Sequence, residues 1–134
     1  MHSMLLARPN LADDKGSAVT GFAVAAPMLI AVFLAIIALT SLVQLRAVLG
    51  AAASVGVRVA SAYGASDFQG KEAATDVLLA HGLSPLRSQV TVTHLRSHGV
   101  GLVRITVKSQ LSVPFLKREA TLVQTAQAVD EGNL

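Results

Sequence analysis

Between Gly16 and Arg46 the chain carries no charged residue. As an α-helix, the part of this run from Ala18 to Val43 rises about 39 Å at about 1.5 Å per residue. That exceeds the roughly 30 Å hydrocarbon core of a bilayer, so the segment can span it with tilt. A buried core helix would need protein on every side of it, and a chain of 134 residues leaves too little. A cleaved secretory signal is the closer competitor. Ala60-Ser61-Ala62 has the small-x-small form of a cleavage site, but the apolar run far outlasts an h-region of about 7–15 residues. The preceding segment is also neutral, with Arg8 and Lys15 balanced by Asp13 and Asp14. The expectation is a polar leader or tail over residues 1–16, a membrane-spanning helix over 17–45 and a separate domain over 46–134. Inside the span, the hydroxyls of Thr20, Thr40 and Ser41 can bond back to the helix's own carbonyls.

Charge and aromatic content narrow the partners. Only 14% of residues are charged, against roughly 25% in ordinary soluble domains. The net charge is +3, yet the basic residues are scattered, with only Lys117 and Arg118 adjacent. No basic stripe forms, and the few aromatics, with no Trp, offer no stacking platform. No nucleic-acid partner is expected. The chain has no cysteine, so thiolate chemistry is excluded and composition says nothing of redox compartment.

Beyond the apolar run the helical pattern continues. Leu45, Val48, Leu49, Ala52, Val55, Val59 and Ala62 fall near one face at spacings of three and four. One long helix over about 19–63, ending at Gly64, is expected. Its alanine-rich surface suits close approach of another backbone. Ser66 or Asp67 can cap a second helix over about 68–81, with Gly82 as the C′ residue and Pro85 beyond. The period then changes to two. QVTVTHLR (89–96) alternates, SHG (97–99) is a turn signal, and VGLVRITVKSQLSV (100–113) is rich in β-branched residues. Pro114 interrupts, and ATLVQTAQAV (120–129) reads as a third strand or a short helix. The fold class expected is α+β: a long N-terminal transmembrane helix continuing beyond the membrane, packed against a short helix and a small antiparallel β-meander.

No nucleotide-binding, hydrolase or metalloprotease motif is visible, and no nucleophile has a base beside it. The chain reads as non-enzymatic, with no cofactor. His81, His94 and His98 could in principle share a metal, but His94 and His98 flank a strand–turn junction, where their side chains need not converge. His81 suits a helix C-terminus, where the dipole favours a cation. Solvated or turn histidines are the plainer reading.

Two motifs at this spacing resemble the TadE-like pilus-assembly proteins, minor pseudopilins of the tight-adherence (Flp) branch of type IV pilus systems. Gly16 matches the glycine that ends a short polar leader, Ser17 to Thr20 the small residues after it, Phe22 a phenylalanine and Pro27 a proline. Past the span, the alanine-rich run leading to Gly56 and Arg58 matches a second family pattern. The resemblance covers about residues 14–63. It implies processing by a prepilin peptidase between Gly16 and Ser17, where a glycine lets extended backbone enter a tight cleft. It also implies an N-terminal helix that bundles with pilin and other pseudopilin subunits. Localisation would be a single-pass protein of the cell membrane with its C-terminal domain exported, joined in some states to a surface pilus. Pro27 would then place a kink or a locally melted turn near the start of that helix. The family has a glutamate where this chain has Gly21. A carboxylate there would pair with a neighbour's freed α-amino group in the apolar bundle, where an unpaired charge costs several kcal/mol. Its loss favours a tip, priming or membrane-retained component over a filament shaft. The alternative is a single-pass membrane protein, unrelated to pili, whose outer domain binds a ligand or regulates a partner.

Overall fold

The computed structural model describes residues 11–113 and 118–133. Five elements follow one another along the chain: α1 (Leu11–Ser61), α2 (Asp67–Ala80), β1 (Ser88–Ser97), β2 (Val100–Val113) and β3 (Arg118–Val129), with a closing 3-10 turn at Glu131–Asn133. The α+β class is as expected. The chain divides into two compact units, residues 1–41 and 42–134.

In the first unit, α1 begins at Leu11, earlier than the expected start near residue 19. Leu11 to Gly16 is helical, so the charged-to-apolar switch at Gly16 falls inside the helix. A helical glycine costs only about 1 kcal/mol relative to alanine, too little to break a helix flanked by good formers. The part of the expected leader or tail before Leu11 lies outside the described residues. The helix also runs through Pro27 without a melted turn. Proline forfeits one N–H bond there, and its fixed φ near −65° is already helical.

The second unit is a three-stranded antiparallel sheet, order β1-β2-β3, with helices on one face. Ile105 pairs with Val92 on one side and Ala126 on the other, and Val107 with Val90 and Gln124. Val103, Ile105, Val107 and Ser109 are all buried, so every second residue of β2 faces the helices. From the α1 side the core receives Leu45, Leu49, Ala52, Ala53, Val57 and Ala60, and from α2 Ala74 and Leu78. Each fully buried side chain of the size of Leu49, Leu78 or Ile105 contributes about 1.5–3 kcal/mol relative to exposure.

The buried stripe of α1 differs from the one its apolar residues suggest. Val55 is exposed and Val59 only half-buried, while Ala53, Gly56 and Val57 are buried. Bulk did not choose the face. Close packing did, because α2 approaches α1 where small residues permit it.

Local chemistry explains the boundaries. Gly64 has φ +76, stopping α1 three residues after Ser61. Ser66 caps α2 in a reciprocal box: its Oγ accepts from the Gln69 N–H and its own N–H donates to Gln69 Oε1, satisfying two end groups at once. Gly82, at φ +74, follows the C-cap as expected. The β1–β2 turn puts both central residues, His98 (φ 51) and Gly99 (φ 84), in the left-handed region, the geometry whose twist suits a two-residue hairpin. The third segment is a strand rather than a helix, and it starts at Arg118. The interruption expected at Pro114 lies outside the described residues.

Candidate membrane-contact helix and its anchored domain

In the first unit, the part of α1 from Gly16 to Ser41 offers its apolar side chains to its surroundings in every direction. The large ones from Val19 to Leu39 are between 45% and 75% exposed, with Leu34 and Phe22 the extremes. This is one helix long and apolar enough to cross a membrane, and none of its most apolar window is buried within the protein. A helix suits hydrocarbon because its backbone groups bond within the segment. The polar side chains also comply. Thr20 Oγ1 donates to the Gly16 carbonyl (2.8 Å), Thr40 Oγ1 to Ile36 (2.9 Å) and Ser41 Oγ to Ile37 (2.9 Å).

The residues singled out by the family motif separate into three settings. Gly16, Ser17, Gly21 and Phe22 are exposed on α1, and a Cβ built at Gly21 meets nothing within 4 Å. Pro27 lies inside the same helix. Gly56 and Arg58 belong to the second unit and do different things there. Arg58 is exposed in the last turn of α1. Gly56 is at the crossing with α2, where an added Cβ would lie 2.9 Å from Ala74 Cβ, 2.9 Å from the Gly70 carbonyl and 3.0 Å from Ile105 Cδ1. Gly70 answers it from α2: a Cβ there would stand 2.5 Å from Ala60 Cβ and 3.0 Å from the Gly56 carbonyl. Gly56 and Ala60 thus face Gly70 and Ala74, two small residues one turn apart on each helix.

The histidines do not gather. His81 is the C-cap of α2, its Nδ1 2.9 Å from the Val77 carbonyl. His98 occupies the hairpin turn. His94, on β1, is held between two carboxylates: Nε2 lies 2.8 Å from Asp67 Oδ1 and Nδ1 lies 3.7 Å from Asp130 Oδ2. The hydrogen bond to Asp67, reinforced by the charges of Asp67 and Asp130, raises its pKa above the ordinary 6.5, against a smaller opposing effect of burial. With a carboxylate facing each ring nitrogen, the arrangement favours the imidazolium form. It ties the first residue of α2 to β1. Among the described residues no group of three or more His, Asp or Glu side chains could hold a metal.

The Asp67–His94 link is a feature that sequence reading missed. Ser66 takes the capping role, which frees the neighbouring carboxylate, but the partner is 27 positions away and nothing local announces it. The uncovered sheet face also carries pairs invisible in the sequence. With the Gln127 amide turned so that its oxygen faces the guanidinium, Arg104 donates to it from Nη2 and Nε at 2.8 and 2.9 Å, and the Thr106 and Thr125 hydroxyls bond at 3.4 Å. No protein-family model, curated protein or solved structure matches the chain.

Proposed function

We propose that this protein is a pseudopilin-like structural protein, anchored in the membrane by residues 17–45, that contributes to assembling a tight-adherence type IV pilus or a related secretion apparatus. The observation that carries the reading is the division of α1. The large side chains of its apolar first part are exposed, and its second part packs into a small α+β domain. Such a surface needs either hydrocarbon or other apolar helices, and a pilus subunit uses the first before export into a filament and the second after it. In this reading Gly16 and Ser17 flank the peptidase cut, and the exposed α1 surface around Phe22 receives neighbouring pilin-type helices. The buried Gly56 maintains the domain beyond.

The helical setting of Gly16 adds a requirement. A peptidase acting there must first unwind a turn, and the glycine lowers the cost of doing so. Intact mass and N-terminal sequencing of the protein extracted from its native membrane test the proposal. A mature start at Ser17 is the expected result. A start at Met1 would leave a single-pass membrane protein that binds a ligand or regulates a partner, and a start near Tyr63 would mean a cleaved signal.

A further inference from the structure

The second unit has two chemically different ends. At one, β1 finishes and β2 begins, and Asp67 and Asp130 flank His94, with Arg96 two positions further along the strand. At the other, roughly 30 Å away along β1, the chain passes from α2 to β1 through Gly82–Arg87. Here Leu45 of α1 and Leu83 share a cleft of about 300 Å³ with Arg87. Leu45 closes the charge-free run, so this is also the end at which α1 enters the unit. Arg46 follows it directly.

The connection is a built turn. The Arg87 N–H donates to the Ser84 carbonyl (3.1 Å) and the Leu86 N–H to Ser84 Oγ (3.3 Å). The Gln110 N–H then fixes the turn to β2 through the Arg87 carbonyl (3.0 Å). Held in this way, Leu86 is 97% exposed. Leu86 lines an open cleft of about 370 Å³ together with Arg87, Lys108, Pro85 and Gln110. An exposed apolar side chain beside two cations, at the end where an apolar helix enters, has the chemistry of a lipid interface: acyl chains take the leucine, and phosphates take the arginine and lysine. Among the described strand residues the acid at this end is Glu119, paired with Ser112 and two positions along β3 from Thr121, which also lines the cleft.

We propose that the Gly82–Arg87 turn and Lys108 form a second membrane contact, which seats Leu86 among acyl chains and binds anionic lipid headgroups through Arg87 and Lys108. The inference rests on the membrane anchoring of residues 17–45 and adds a specific orientation for the domain beyond it: the Gly82–Arg87 end toward the lipid, the His94 end away from it.

The absence of native cysteine permits a direct test on the full chain. Leu86→Cys, Ser97→Cys and Phe33→Cys are each labelled with a polarity-sensitive fluorophore in vesicles of phosphatidylcholine with or without phosphatidylglycerol, and quenched by brominated lipids. The expected result is quenching at position 33 in both vesicles, at 86 several-fold more strongly with phosphatidylglycerol, and little at 97. Combining Arg87→Gln and Lys108→Gln should shift the docking equilibrium at position 86 by about 25-fold, at about fivefold per charge. Quenching at 33 with position 86 as water-exposed as 97 would overturn the contact while leaving the anchor intact. No quenching at 33 would overturn the anchor, and the contact with it.

Discussion

At Gly70 a single methyl group has nowhere to go. Its Cβ would stand 2.5 Å from Ala60 Cβ and 3.0 Å from the Gly56 carbonyl, so α1 and α2 would have to separate. Gly70→Ala should destabilise the protein by about 1–3 kcal/mol, outweighing the helix-propensity gain of up to about 1 kcal/mol. Gly50→Ala makes the contrast. It is also helical, but its Cβ would meet nothing within 4 Å, and the substitution should stabilise by about 0.5–1 kcal/mol. Thermal denaturation of both variants checks this, and equal effects would refute the close crossing. His94 supplies a second residue-scale prediction. Its pKa is raised in the folded protein, so its pairing with Asp67 stabilises fully below the ordinary 6.5 and is lost as pH rises through the raised value. For so exposed a pair the gain is about 0.2–1 kcal/mol. An NMR titration of the His94 ring should show Asp67→Asn lowering its pKa, with stability reduced on the acid side alone. An unchanged titration would mean that the contact does not persist in solution. Neither feature was legible from the residues concerned: Gly56 drew notice through a family motif, but which atoms it admits depends on a helix that begins only at Asp67.

At the scale of elements, legibility followed the strength of the local signal. The two-residue period and β-branched content marked β1 and β2 closely, and the left-handed glycines marked where helices stop. The stretch over 120–129 was ambiguous because alanine, glutamine and threonine suit either state. Pairing with β2 from Val113↔Arg118 to Leu102↔Val129 decided it, and such a partner acts across the chain. The buried face of α1 was misread for a related reason: periodicity counts apolar residues, whereas the packed face was chosen by where a second helix could approach. For the exposed part of α1, the testable element is its missing acid. A side chain at Gly21 has open space around its Cβ, so Gly21→Glu should leave the fold intact. In the pseudopilin reading it supplies a partner for the α-amino group of a neighbouring processed subunit. Filament-associated protein, measured by immunoblot of sheared surface fibres, should rise several-fold. A rise confined to the membrane fraction, with none in the fibres, would count against subunit bundling through this helix.

Considered as a whole molecule, the chain joins two materials with opposite solvent requirements. Every core residue from Leu45 to Val107 belongs to the unit beginning at Leu42, and the apolar surface from Val19 to Ile37 belongs to the other. Among the described residues every core side chain comes from the second unit, so removing the first should cost the second little of its stability. A chain beginning at Leu42 should therefore remain in aqueous solution without detergent and unfold cooperatively, with a stability of about 5–15 kcal/mol. Within it, Leu78→Ala should remove about 2–5 kcal/mol, the usual cost of emptying a fully buried leucine site. The full chain should stay with membranes through an alkaline carbonate wash, since a spanning helix is held by apolar burial that neither salt nor pH relieves. Urea denaturation followed by circular dichroism, together with that wash, tests both halves of the division. A Leu42 start that aggregates or melts without cooperativity would show that the exposed helix supports the fold as well as anchoring it.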